Sequence, residues 1–304
     1  LIHFDGPRHA RARDRAKAFV RQVQQSWPVP EIEDLAAQML TALPPGQVFD
    51  GVRLATDFID RQWCRLLRLP EPEMGRLVSE TEAFLADWGR VAVLSQYKDR
   101  DRRAAQLMRD VLAGGGEGGC PWHGDGHLDA PVMLVILAVA NGTVKQMIGN
   151  ILHLLATDPA EQDRLRRDPA RLAPFVEEAL RLQGAVRYRE RIAGPEGLPD
   201  FGIPPGAQIR LWLDSAGRDA RVYADPQRFD PDRHRAAIRP APVLTFGGGP
   251  HLCVGRLLAR VQIHALIGAM LGRFRLTVAE TAPRPFTEPA FRGFHELPLR
   301  LRPV

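Results

Sequence analysis

Apolar residues recur every three or four positions along most of this chain, and every second position only in a few short stretches. Leu257, Leu258, Val261, Ile263, Leu266, Ile267 and Met270 keep the helical period, so the run from Arg256 to Met270 is expected as a helix. The same period predicts helices over Ile32–Leu43, Val52–Leu69, Met74–Leu94, Asp101–Leu112 and the long apolar stretch Ala130–Leu155. Asp5 and Pro7 supply the start signals of an earlier helix, and Asp158-Pro159 and Asp168-Pro169 each set a capping residue before a first-turn proline. Pro44-Pro45-Gly46 is a break. After Gly184 the pattern turns extended: Ala207–Leu213 alternates, and Phe274–Val278 and Leu297–Leu301 read as closing strands. The expected fold class is therefore mainly α with small β-sheets. At 45% hydrophobic content, 304 residues can bury a substantial core, most simply as one domain spanning 1–304.

One stretch obeys neither period. Phe246-Gly247-Gly248-Gly249-Pro250-His251-Leu252-Cys253-Val254-Gly255 precedes the helix at Arg256, and three glycines with a proline require a tight irregular loop. Cys253 is thus expected at the mouth of a helix, where free amide groups and the dipole favour a thiolate. Gly255 leaves room for something bulky against the backbone. A lone thiolate there suits an axial ligand to haem iron, and suits structural zinc poorly because zinc takes several ligands. The competing reading is an ordinary buried cysteine behaving as a small hydrophobe. A phosphate loop is excluded, since Arg256 stands where a Lys-Ser/Thr pair would be required.

The segment closely resembles the haem-binding signature of the cytochrome P-450 superfamily. Phe246, Gly249, Cys253 and Gly255 match its phenylalanine, first glycine, cysteine and last glycine, and His251 falls where bacterial members usually carry a histidine. Three further motifs follow the family's order. His9 and Arg13, four residues apart on one helical face, resemble the C-helix pair that holds haem propionates. Glu178 and Arg181 resemble the K-helix Glu-x-x-Arg, whose partner arginine would be Arg233 in Phe229-Asp230-Pro231-Asp232-Arg233. The Ala130–Leu155 helix resembles the I helix that crosses the haem, with Thr143 on the family's proton-delivering threonine.

The resemblance implies haem b bound through Cys253, with His9, Arg13, Arg191 and His251 around its propionates. It implies a substrate pocket walled by Val139, Ala140, Ala185, Val186 and Arg187; an arginine facing that pocket would favour an anionic substrate, and one facing solvent would not. It further implies a bacterial-type haem-thiolate oxidoreductase modifying a small secondary metabolite by oxygen insertion or oxidative coupling. Electrons would come from a ferredoxin approaching Arg8, Arg11, Arg256 and Arg260 near Cys253.

Two departures qualify this. Gly142 stands where the family has an acid and Ala140 where it has a glycine, with Asn141 between them. Thr143 can orient a water but is no proton source at neutral pH. Haem-thiolate chemistry without dioxygen activation therefore competes, as a peroxygenase or a redox-neutral isomerase, dehydratase or group-transfer catalyst. The second departure is that nothing precedes the C-helix pattern. The family's early strands, two helices and the loop roofing the substrate are missing from the sequence, so the expected fold is a cytochrome P-450 fold lacking the segment before the C helix. The sequence is incomplete there or the roof is lost; in the latter case a subunit or domain would cover the distal haem face. A non-catalytic haem-fold protein that presents another protein is a further alternative.

Composition changes little. There are 41 Lys+Arg against 36 Asp+Glu, with the arginines scattered among acids and no basic tract interleaved with aromatics, so no nucleic-acid partner is expected. The longest clean apolar run, Ala130–Ala140, is too short to cross a bilayer. With no leader or anchor in view and three cysteines that form no disulfide framework, a cytoplasmic protein is expected. Cys120, His123 and His127, with Asp125 or Asp129, have a spacing that a metal accepts, inside a glycine-rich connector more simply read as a surface loop.

Overall fold

A computed structural model describes residues 6–72, 74–75, 77–78, 106, 130–236 and 243–304. The expected helices of Met74–Leu94 (beyond its first turn) and Asp101–Leu112, and the Cys120, His123 and His127 cluster, lie outside the described residues.

The helices are α1 (Gly6–Ser26), α2 (Val29–Thr41), α3 (Gly51–Leu67), α4 (Ala130–Thr157), α5 (Pro159–Arg167), α6 (Leu172–Gln183), the short α7 (Leu213–Ala216) and α8 (Asp232–Ala236), and α9 (Arg256–Leu271). The strands are β1 (Val48–Asp50), β2 (Tyr188–Ile192), β3 (Gln208–Trp212), β4 (Phe274–Val278), β5 (Arg284–Pro285), β6 (Phe294–Glu296) and β7 (Pro298–Pro303). They form a three-stranded sheet in the order β1-β7-β4 and two antiparallel pairs, β2-β3 and β5-β6.

Helices α2, α3, α4 and α9 lie where their apolar spacing put them, with ends moved by up to a few residues, while the short α7 and α8 were not expected. Asp50 starts α3 by accepting from the Val52 amide at 2.9 Å, and the same oxygen accepts from the Leu297 amide at 3.0 Å, which ties α3 to the start of β7. Asp158 caps α5 through the Glu161 amide at 2.9 Å. Asp168 makes no such capping bond, and Pro169–Arg171 winds as a single 3₁₀ turn before α6. The expected strand at Ala185–Arg187 is also displaced. Regular pairing begins at Tyr188, while Val186 makes one isolated bridge to Phe291 and the Arg187 amide bonds to the Ala290 carbonyl.

The core runs along α4, against which α3, α6, α9 and β4 pack, while α9 also packs on α2. α1 contributes Ala16, Phe19, Val20 and Val23, spaced so that His9 and Arg13 continue the same inward stripe. No described helix is long and apolar enough to cross a membrane.

A charged knot at the end of α6 shapes the chain that leads to the glycine loop. Glu178 and Arg181 are wholly enclosed and pair through two bonds of 2.7 Å. Arg181 then donates to the carbonyls of Gly217 (2.5 Å), Pro226 (2.7 Å) and Arg228 (3.1 Å). Glu178 also receives the Asp230 amide at 2.8 Å, Arg233 at 3.0 Å and His234 at 2.9 Å. Burial alone would raise the Glu178 pKa, but the bonds from Arg181, His234 and the Asp230 amide win and hold it at about 2.

Glu178→Gln should leave two guanidinium groups underpaired and destabilise the fold by about 3–5 kcal/mol, as read in chemical denaturation. Because the folded pKa lies below the unfolded one, this stabilisation is complete above the ordinary carboxylate range and is lost as pH falls towards about 2. Acid titration of wild type against Glu178→Gln should therefore show the gap between them closing as pH drops.

Candidate haem-thiolate site

The glycine loop takes its shape from two left-handed residues. Gly247 (φ 72°) and Gly249 (φ 62°) adopt conformations that a side chain would strain, and a 3₁₀ turn spans Gly249–His251. The loop closes through the Cys253 amide, which donates to the Phe246 carbonyl at 2.9 Å. Gly184 lets this loop seat against α6, since a Cβ there would lie 2.2 Å from Thr245 Oγ1 and 2.9 Å from the Leu180 carbonyl.

Two ties bring α1 to the loop. Arg13 donates to the Leu252 carbonyl at 2.7 Å, and the rings of His9 and His251 stack with centroids 4.1 Å apart. A third group of cations comes from β2, where alternation sends Arg189 and Arg191 to one face and Glu190 and Ile192 to the other. Arg189 was not singled out from sequence. Burial and the neighbouring Arg191 push its pKa down to about 10, and the Cys253 sulfur pulls it back up. A period-two reading begun at Tyr188 would have found it beside Arg191.

Cys253 is half-buried and forms no disulfide. Burial pushes its thiol up, while the Gly255 amide and the charges of Arg256, Arg13 and Arg189 pull it down. The amide of Gly255, the N-cap residue of α9, favours the thiolate as the helix-mouth placement implies, and desolvation opposes it. No group of three metal-binding side chains occurs among the described residues. The donor set is thus one sulfur beneath a ring of cations, which fits a metal held by one axial bond in an anionic macrocycle better than a multi-ligand ion.

On α4, Val139, Ala140, Gly142 and Thr143 are half-buried and Asn141 is buried. Thr143 Oγ1 donates back to the Val139 carbonyl at 2.7 Å. Asn141 donates from Nδ2 to Asp60 on α3 at 2.9 Å, so it faces α3. Ala185 and Val186 are buried. Arg187, its side chain 37% exposed, bonds Asp214 at 3.0 Å, an aspartate also held by Arg292 at 2.7 Å. The expected ferredoxin-facing cations are likewise partly engaged. Arg260 pairs with Glu177 and lies over the Phe246 ring at 4.5 Å, and Arg256 donates to the Cys253 carbonyl at 3.3 Å. Arg11 is exposed, and the Arg8 side chain lies outside the described residues.

The cytochrome P450 family profile matches residues 125–301, more than half of the sequence. The chain belongs to the cytochrome P450 family. It is accordingly a haem-thiolate oxidoreductase of mainly helical fold whose cofactor is haem b. Among curated relatives, cytochrome P450 monooxygenase PikC of Streptomyces venezuelae is 29% identical over 99% of this chain and 76% of its own length. Erythromycin C-12 hydroxylase of Saccharopolyspora erythraea is 34% identical over 47% of this chain and 36% of its own. Among solved structures, CalO2 is 25% identical with a TM-score of 0.78, covering 99% of this chain and 79% of that one. CxnD, a cytochrome P450 for C–S bond formation in chuangxinmycin biosynthesis, has the same identity and TM-score over 99% and 78%. In this cytochrome P450 the α1 pair contacts the loop that carries the sulfur and Arg189 lies in the sulfur's field, whereas Arg187 and Asn141 are held by partners of their own.

Arg13→Gln removes the guanidinium that holds the Leu252 carbonyl and adds positive charge beside Cys253. Haem occupancy, read as the ratio of Soret to protein absorbance, should fall severalfold while the far-ultraviolet circular dichroism stays unchanged.

Proposed function

We propose that residues 1–304 form one haem-binding unit in which Cys253 is the axial iron ligand and His9, Arg13, Arg191 and His251 hold the propionates. The observation that carries this reading is the single cysteine closed into its loop by the Phe246 carbonyl and lying in the field of Arg256, Arg13 and Arg189. Those charges compensate an anionic sulfur and anionic propionates together. Haem bound in this way supplies oxidising power for oxygen insertion or oxidative coupling on a small molecule. A secondary-metabolite substrate is supported by the similarity to PikC and erythromycin C-12 hydroxylase, and ferredoxin is the electron donor proposed from the family.

The chain's own residues divide the remaining work. Val139 and Ala140, half-buried on α4, present apolar surface that excludes water and orients substrate, with the buried Ala185 and Val186 behind the pocket wall. Thr143 Oγ1 donates its hydrogen bond to the Val139 carbonyl, which leaves its lone pairs to accept from a water and orient it. Glu178, Arg181 and Arg233 touch no substrate and hold the approach to the loop.

A second reading rests on Gly142, which places no carboxylate before Thr143. Peroxide-driven or redox-neutral chemistry needs no proton relay of that kind. Product formation with NADPH, reductase and ferredoxin, compared with peroxide alone and with neither, separates the readings.

Cys253→Ala should abolish the red-shifted ferrous–carbon monoxide band that thiolate ligation produces; an unchanged band would refute the axial assignment. Thr143→Ala should lower oxygen-dependent turnover about tenfold or more. Gly142→Glu should raise that turnover if the missing relay acid limits it, as measured by product formed per NADPH consumed.

A further inference from the structure

Helices α2 and α3 are joined through β1 yet part from each other, because α2 leans chiefly on α9 and α3 chiefly on α4. Between them opens a cleft of about 470 Å³, within the range that small-molecule sites occupy. Its floor is apolar, with Leu35 and Met39 from α2 and Leu54 from α3. Leu43, Phe49 and Cys64 are only half-buried and form its walls. Burial, with Asp60 and Glu71 nearby, raises the Cys64 pKa to about 11, so this part of the wall is a neutral thiol. None of the residues lining the cleft belongs to the haem-thiolate site, and the function proposed above leaves it unused.

The charges sit along one rim. Arg53, Asp57, Arg61 and Arg65 follow one another at four-residue intervals on α3, so they share a helical face. Arg65 stands about 18 Å along the axis from Arg53. The carboxylates at the cleft are already engaged. Asp57 holds Arg53 at 2.8 Å, Glu71 holds Arg61 at 3.4 Å, and Asp50 accepts the Val52 and Leu297 amides. Arg65 differs from the other two arginines. It gives one bond of 3.3 Å to the neutral amide oxygen of Gln38, and no carboxylate lies within 4.0 Å of it among the described residues. That bond is at the surface and joins two exposed side chains. A neutral bond of this length is weak, whereas a carboxylate takes a guanidinium through two charge-assisted bonds. An apolar trough with an uncompensated guanidinium near one end is complementary to an amphiphile with an anionic head. We infer that the α2–α3 cleft binds a medium-chain carboxylate, its alkyl chain along Leu35, Met39, Leu43, Phe49 and Leu54 and its head on Arg65 in place of Gln38.

The test uses the haem-loaded full chain with dodecanoate, dodecanol and dodecylammonium as probes. Affinity is read by calorimetry. Occupancy of the cleft is read by the rate at which iodoacetamide alkylates Cys64, followed on its own peptide by mass spectrometry; binding over the haem instead moves the Soret band. Dodecanoate should bind about tenfold tighter than either other probe and slow Cys64 alkylation severalfold. Arg65→Gln should bring dodecanoate down to the affinity of dodecanol. Leu43→Trp, which fills the trough, should weaken every probe. Haem content and the ferrous–carbon monoxide band should be unchanged in both variants. Arg65→Gln alters an exposed side chain, so it decides the question even where Leu43→Trp does not fold. Cys64 alkylated at one rate with and without dodecanoate would overturn the inference. So would dodecanoate protecting Arg65→Gln as well as wild type, or tighter binding of dodecanol or dodecylammonium. The haem-thiolate reading survives each of these failures, because the cleft shares no residue with it.

Discussion

The enclosed carboxylate of Glu178 is the constraint on which the site end of the molecule depends. Its two oxygens take bonds from Arg181, Arg233, His234 and the Asp230 amide, and Arg181 carries the connection on to three carbonyls between Gly217 and Arg228. Chain without regular repeating structure is thereby held as firmly as a helix. An ion pair with no solvent access adds little net stability over apolar packing, yet losing one member is costly. Its use here is geometrical: it fixes the chain between Gly217 and His234 against α6.

From that anchor the loop is completed by contacts of different kinds. Gly184 supplies closeness to Thr245, the Phe246 carbonyl supplies closure on Cys253, and Arg13 and His9 bring α1 to the same place from the far end of the sequence. Cations thus reach the sulfur from α1, β2 and the first turn of α9, which are distant in sequence and adjacent in space.

Helix positions were readable from the sequence because a period of three to four states which face is buried, and α1, α3, α4 and α9 bury those faces. The Glu178–Arg181 pair and the Cys253 loop were readable because each is a local motif of fixed spacing, while Arg233, far along the chain, came only from the family resemblance. What the sequence withheld depends on partners far along the chain. Arg187 and Arg189 are two residues apart, yet Asp214 bonds the first while the second lies in the field of Cys253, and no local pattern distinguishes them. The desolvation of Cys253 was hidden for a related reason. Helix amides are visible in a sequence, whereas the desolvation that raises the thiol appears only once the loop is folded against its neighbours.

The buried amides make a second class of fastening. Gln262 donates to Gln62 at 2.8 Å and joins α9 to α3, while Gln162 bonds the carbonyls of Leu155 and Leu276 at 2.7 and 2.8 Å and accepts the Leu276 amide at 2.9 Å. Neutral amides neither titrate nor attract counterions, so protons and salt act on them only weakly. The helical frame is consequently riveted by groups indifferent to the solution, while the mouth around the sulfur is laced by ions that respond to it. Changes of pH or salt would act on the laced rim more directly than on the rivets of the frame.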